Sequence, residues 1–141
     1  MFFYNKMQAA KISDLNGKLI TRRVLDTEVP TLESTVEAVG KYKEVEVTET
    51  ITFIVSPQTE ELLHAVGRGI IIANEDGEVA TYKGEGIGKY DSTDKYTVWK
   101  GTLFFKTAST DKLAFLNNLV GVFEAKIDND KNFSSQVYEW K

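Results

Sequence analysis

Few side chains in this sequence can do chemistry, and their spacing narrows what that chemistry is. The chain has no cysteine, which removes disulfides and thiol nucleophiles. It has one histidine, His64, which gives no support to a histidine metal centre or a Ser-His-Asp arrangement. Strand parity, derived below, points His64 outward beside Val66 and Arg68, as a surface residue and not a catalytic base. Gly84-Glu85-Gly86-Ile87-Gly88 is rich in glycine. It lacks the spacing of either nucleotide motif and falls inside a strand, not between a strand and a helix. Asp128-Asn129-Asp130-Lys131-Asn132 superficially suggests calcium, but the glycine and the distal bidentate glutamate of an EF-hand are absent. Arg22-Arg23 reads as a solvated strand face before an anion site. Asn117-Asn118 read as helix-ending residues before ligand donors. The polar side chains with inward parity are Tyr82, Tyr90 and Thr97. Glu124 and Glu139 lie on strands whose facing stays open. No catalytic residue, metal ligand or cofactor follows from these residues.

What remains informative is a set of glycines and aromatics on a central meander. Three strands, over 67–73, 78–90 and 95–106, are joined by Asn74-Glu75-Asp76-Gly77 and Asp91-Ser92-Thr93-Asp94. The Asp-Gly pair is a strong hairpin signal. Side chains alternate along a strand, so Gly84, Gly86 and Gly88 share one face. With Asp76-Gly77 as a two-residue loop, Gly67 faces Gly86 and Gly69 faces Gly84. With Tyr90 and Lys95 closing the second turn, Gly86 faces Trp99, Gly84 faces Gly101 and Tyr82 faces Leu103. Tyr82, Leu103 and Ile71 fall on the glycine face. The other face carries Lys83, Glu85, Lys89 and Lys100, with Glu85 opposite Lys100, a pattern that suits solvent. The glycine face therefore points inward, with Trp99 over it, and a side chain added at Gly86 is expected to push against the indole. Bare inner positions have two readings. They mark kinks that let a sheet close, or they leave room for a ligand.

The rest of the chain supplies more strands. Residues 1–16 read as an N-terminal extension, an edge or interface segment with Phe2, Phe3, Tyr4 and Met7, ending in an Asn16-Gly17 turn. A strand follows over 18–26. Residues 31–39 read as an edge strand broken by Gly40. Residues 41–55 alternate most cleanly. Val45, Val47, Ile51, Phe53 and Val55 fall on one face, and Glu44, Glu46, Thr48, Thr50 and Thr52 on the other. Between 56 and 67 either a helix begins at Pro57 or a strand begins near Leu62. The strand is preferred, because Leu63 and Ala65 continue the inner face. Thr110 is a candidate N-cap for a short helix near 110–119, whose Leu113, Leu116 and Leu119 recur at helical spacing and plug one barrel end. Strands over 120–127 and 133–141 complete the count.

Composition sets the class. At 141 residues the chain reads as a single domain over 1–141, long enough for a core without staples. A formal charge of -4 with mixed signs argues against nucleic acid. No apolar run approaches the roughly 18 residues of a membrane helix, and Asn5 and Lys6 interrupt the apolar start. A soluble, cytoplasmic protein is the expectation, with no membrane partner. Seven or eight mostly meandering strands point to an all-β fold, an antiparallel sheet closed into a barrel, because closure removes exposed edges. An open sandwich is second.

The run Gly84-Glu85-Gly86-Ile87-Gly88, the turn Glu75-Asp76-Gly77-Glu78 and the stretch from Lys112 to Glu124 resemble uncharacterised bacterial and archaeal proteins with a calycin-like barrel. That barrel is similar to allene oxide cyclase and the lipocalins. The similarity spans roughly residues 40–141. It implies an eight-stranded calycin-like barrel and apolar ligands, and no catalytic residue.

Three functions stay open. The first is binding of a small apolar or amphipathic ligand, with Tyr82, Gly84, Gly86, Trp99 and Leu103 as its walls. The second is a cyclase or isomerase on an apolar substrate. The third is a filled barrel acting through its surface. A cavity larger than a water is needed for the first two, and a buried carboxylate in an open cavity favours the enzyme. Apolar residues over 1–7 and 137–140 point to a homodimer.

Overall fold

A computed structural model describes residues 10–140. The apolar segment over 1–7 lies outside the described residues. Eight strands follow one another: β1 (Lys11–Asp26), β2 (Thr31–Tyr42), β3 (Val45–Pro57), β4 (Leu62–Ala73), β5 (Val79–Asp91), β6 (Tyr96–Thr107), β7 (Val120–Asp128) and β8 (Asn132–Glu139). They pair in sequence order into a closed barrel. Every pair is antiparallel, and β1 closes the ring against β8. The expected all-β barrel is the observed fold. Among the described residues no helix is long and apolar enough to cross a membrane.

Alternation builds the interior. On β3, Val47 is fully buried while Thr48 and Glu46 are exposed, and β2 buries Ser34, Val36, Ala38 and Tyr42 at every second position. β4 buries Ala65, Gly69, Ile71 and Ala73 in the same way. These half-buried, β-branched runs form strands because a pleated strand sends successive side chains to opposite faces.

Turn geometry corrects the expected registers. The Ala73 N–H donates to the Glu78 carbonyl at 2.8 Å and the Gly77 N–H to the Ala73 carbonyl at 2.9 Å. The loop is therefore residues 74–77, with Gly77 at φ 76°, and not Asp76-Gly77 alone. Asp91 and Tyr96 close the second turn. Its Asp91 carboxylate accepts from the Thr93 and Asp94 N–H groups. Both registers move by two positions, so the parity survives while the neighbours change. Gly67 faces Gly84, Gly69 faces Tyr82, Gly86 faces Gly101, and Trp99 faces Gly88. Glu85 faces Thr102, not Lys100.

Other boundaries shift as well. Lys11 to Asn16 belong to β1, and Asn16-Gly17 is mid-strand. A Cβ at Gly17 would strike the backbone of Glu37 and Ala38, so close approach of β2 requires the glycine. Gly40 lies within β2, which is an inner member of the closed ring and no edge. A turn at Lys43, φ 53°, divides the expected strand over 41–55. β4 begins at Leu62, and no helix starts at Pro57.

The plug is smaller than a helix. Only Ala114–Leu116 forms a single 3-10 turn, and no side chain caps it from its own N-terminus. Thr110 leaves that role to Glu78. The Glu78 carboxylate accepts from the Ser109 hydroxyl and from the Leu113 and Lys112 N–H groups. These donors, Ser109 first, hold its carboxyl below the usual range. Leu113 and Leu116 are fully buried and Leu119 nearly so, sealing the barrel end where Phe105 exchanges backbone hydrogen bonds with Asn118 and Leu119.

Candidate functional site

A cavity of about 80 Å³ lies inside the barrel. Water takes about 30 Å³ in the liquid, so the space suits two or three waters or a ligand of about five non-hydrogen atoms. Tyr82, Gly84, Gly86, Trp99 and Leu103 all stand on its wall. Trp99 is buried and meets Phe53 edge-on, ring centroids 6.2 Å apart. The indole packs on Gly88, where a Cβ would come within 2.7 Å of the ring. At Gly86 a Cβ would instead meet the Lys100 carbonyl and Phe123, which corrects the expected clash with Trp99.

The glycines divide into two groups. Gly69 yields to the Tyr82 ring, which occupies the place a Cβ would take. Gly84 and Gly101 are closed in by neighbouring backbone. Gly67, which borders the cavity as Gly84 does, is less enclosed, and its nearest obstacle is the Phe53 Cβ at 3.1 Å. Bare inner positions thus admit a neighbouring ring at Gly69 and neighbouring strands at Gly84 and Gly101, while Gly67 leaves part of the wall open.

The polar floor of the cavity is Glu49. It sits on β3 between Val47 and Ile51, is 1% exposed, and borders the cavity with Tyr42 and Tyr82. The Tyr42 hydroxyl donates to Glu49 Oε1 at 2.8 Å, and the Tyr82 hydroxyl to Oε2 at 2.5 Å. Tyr82 reaches across β4 to do so, which is why Gly69 is bare. Phe105 packs against both tyrosine rings, at 6.0 Å and 5.4 Å between centroids. The other buried polar side chains among the described residues are serines, Ser13, Ser34 and Ser135.

Burial penalises a charge that no cation offsets. It pushes the Glu49 carboxyl up to about 7, against the opposing hydrogen bonds from Tyr82 and Tyr42. Burial, and then the neighbouring Glu49 charge, drive both phenols well above their ordinary range. Tyr42 and Tyr82 therefore stay protonated donors, while Glu49 takes up or yields a proton near neutrality. A group poised there suits either proton transfer or recognition of a polar ligand atom.

Glu49 and Tyr42 are absent from the residues singled out in the sequence, although parity carried the signal. Glu49 falls on the apolar face of the most regular strand, between Val47 and Ile51. The other polar candidates stand elsewhere. Tyr90 is exposed and accepts from Asn129, and Thr97 does not border the cavity. Glu124 pairs with Lys100, and Glu139 is half-buried at the end of β8. His64 hydrogen-bonds Glu85 on the outer face. Asp128 accepts from the Asp130 and Asn132 N–H groups and so closes a turn. Asn117 accepts from the Thr107 N–H, and Arg23 pairs with Glu33. Asp76, Glu78 and Asp111 converge at the plugged end, where Glu78 is already engaged in holding the plug.

No protein-family model matches the chain, and no curated protein matches it. A crystal structure of a protein with unknown function from Clostridium acetobutylicum ATCC 824 is similar to it. The two agree with a TM-score of 0.77 at 11% identity, over 94% of this chain and 99% of that one. At that identity the likeness shows the fold alone.

Proposed function

We propose that the barrel binds a small, mainly apolar molecule with one polar end directed at Glu49. One observation carries this reading: an apolar cavity with a single buried carboxylate on its floor. Sites of this kind combine apolar walls with a few placed polar groups. The calycin-like character of the barrel and the implied apolar ligands belong to the same reading, as does a cytoplasmic location. Trp99 on the wall supplies the signal, read in a Trp140→Phe background because Trp140 is exposed. Isobutanol, sized for the cavity, should shift Trp99 emission saturably. Gly67→Ala puts a methyl group into the cavity and should weaken that response at least tenfold. A response unchanged by Gly67→Ala would place the ligand elsewhere.

A second reading, a cyclase or isomerase, is favoured by the same buried carboxylate. Glu49 would then move a proton on a substrate held by the apolar walls, and Glu49→Gln would abolish turnover while leaving binding in place.

A further inference from the structure

We infer that the molecule taken by the cavity carries a protonated amine, which sits against the Glu49 carboxylate. This rests on the binding reading above and adds the ligand's charge to it. Each Glu49 oxygen accepts from one tyrosine hydroxyl. A carboxylate has about four acceptor positions, so each oxygen keeps capacity for a further donor. No lysine, arginine or histidine is among the buried residues described. Among the described residues, the strands around Glu49 bring no cation to it. β2 contributes Tyr42 and β5 contributes Tyr82. Lining the same cavity are Leu15 of β1, Gly67 of β4, Leu103 of β6, Ala125 of β7, and Ser135 and Val137 of β8, none of them charged. Glu85 also borders the cavity, and its carboxylate pairs with His64 on the outer face.

A negative charge so placed lacks a partner, and an ammonium group on the ligand provides one. Breaking or omitting one member of a buried ion pair is the costly state. A carboxylate ligand would instead meet a like charge with no cation near. A neutral alcohol would fill the space and leave the charge uncompensated. Because Glu49 must be ionised for this pairing, amine binding takes the carboxylate form and tightens as pH rises through its titration.

Calorimetric titration of the full chain with isobutylamine, isobutanol and isobutyrate, at pH 6 and pH 8, tests this. Isobutylamine remains protonated at both, since aliphatic amines titrate near 10.4. It should bind at least tenfold more tightly than isobutanol at pH 8, and about tenfold more weakly at pH 6 than at pH 8. Isobutanol should change little with pH, and isobutyrate should bind weakest. Glu49→Gln should erase the amine's advantage over isobutanol. Isobutanol binding with no advantage for the amine, or an amine advantage that is flat with pH, overturns the inference and leaves the binding reading standing. Uptake of none of the three overturns both. The pH comparison on the unmodified chain decides the matter even if Glu49→Gln does not fold.

Discussion

A carboxylate at the centre of an apolar barrel is costly, and the cost depends on pH. Glu49 has an ordinary value of 4.5 and is pushed up to about 7 by burial. Between those values the unfolded chain has released the proton and the folded chain has kept it. Folding stability therefore falls as pH rises across this window and levels off above it. The loss should be about 3 kcal/mol, and Glu49→Gln should not suffer it. Denaturant unfolding at pH 4.5, 6 and 8 checks this, and parallel profiles for the two proteins would contradict it. The neighbouring glycine makes a separate prediction. Gly69→Ala drives a methyl group into the Tyr82 ring and breaks the reach to Glu49, so it should cost about 3 kcal/mol. A midpoint unchanged from the wild type would show that the ring can move aside freely. At this scale the sequence was partly legible. Parity alone places Tyr82, Trp99 and Leu103 inside. It places Glu49 there as well, but an acid amid threonines and glutamates is easily read with its exposed neighbours.

Among the elements, turns decide which residues meet. The strands of the central meander are evident from alternation, and both turns are evident from their Asp and Gly content. Their lengths are not, because Asp-Gly fits both a tight loop and the end of a longer one. The actual loop over 74–77 moves every partner in the hairpin without turning any side chain over. Gly77 carries the turn, with φ 76° and open space around its Cα. Gly77→Ala should therefore cost about 1 kcal/mol through conformation alone, read as a lower denaturation midpoint. The plug shows the opposite limit. Leucine spacing identifies the buried residues Leu113, Leu116 and Leu119. The capping group comes from Glu78, distant in sequence, and no local pattern announces it.

For the whole molecule, strand count and the need to remove edges lead to a closed barrel, and the ring of eight strands is what forms. The closing pair, β1 with β8, was the least legible, because Lys11 to Asn16 resemble a tail more than a strand. The outer wall carries an aliphatic stripe, interrupted by Arg68 of β4, in which Ile54 neighbours Val66 and Ile72 neighbours Val79. All four are exposed, with Ile70 between them on β4. We propose that this face pairs with a second copy of the chain. Sedimentation at micromolar concentration should give a dimer, and Val66→Lys should return it to a monomer. A monomer in the unmodified protein would remove the argument.

A binding site in the space above Glu49 must report on that carboxyl when a ligand enters. Carbon NMR of the Glu49 side-chain carboxyl at pH 8, followed during addition of isobutylamine, tests it most directly. This resonance and the Trp99 indole should shift together and saturate at one concentration, while surface carboxyls such as Glu28 and Glu60 stay in place. Movement of the surface carboxyls alone, with Glu49 and Trp99 unmoved, would contradict it.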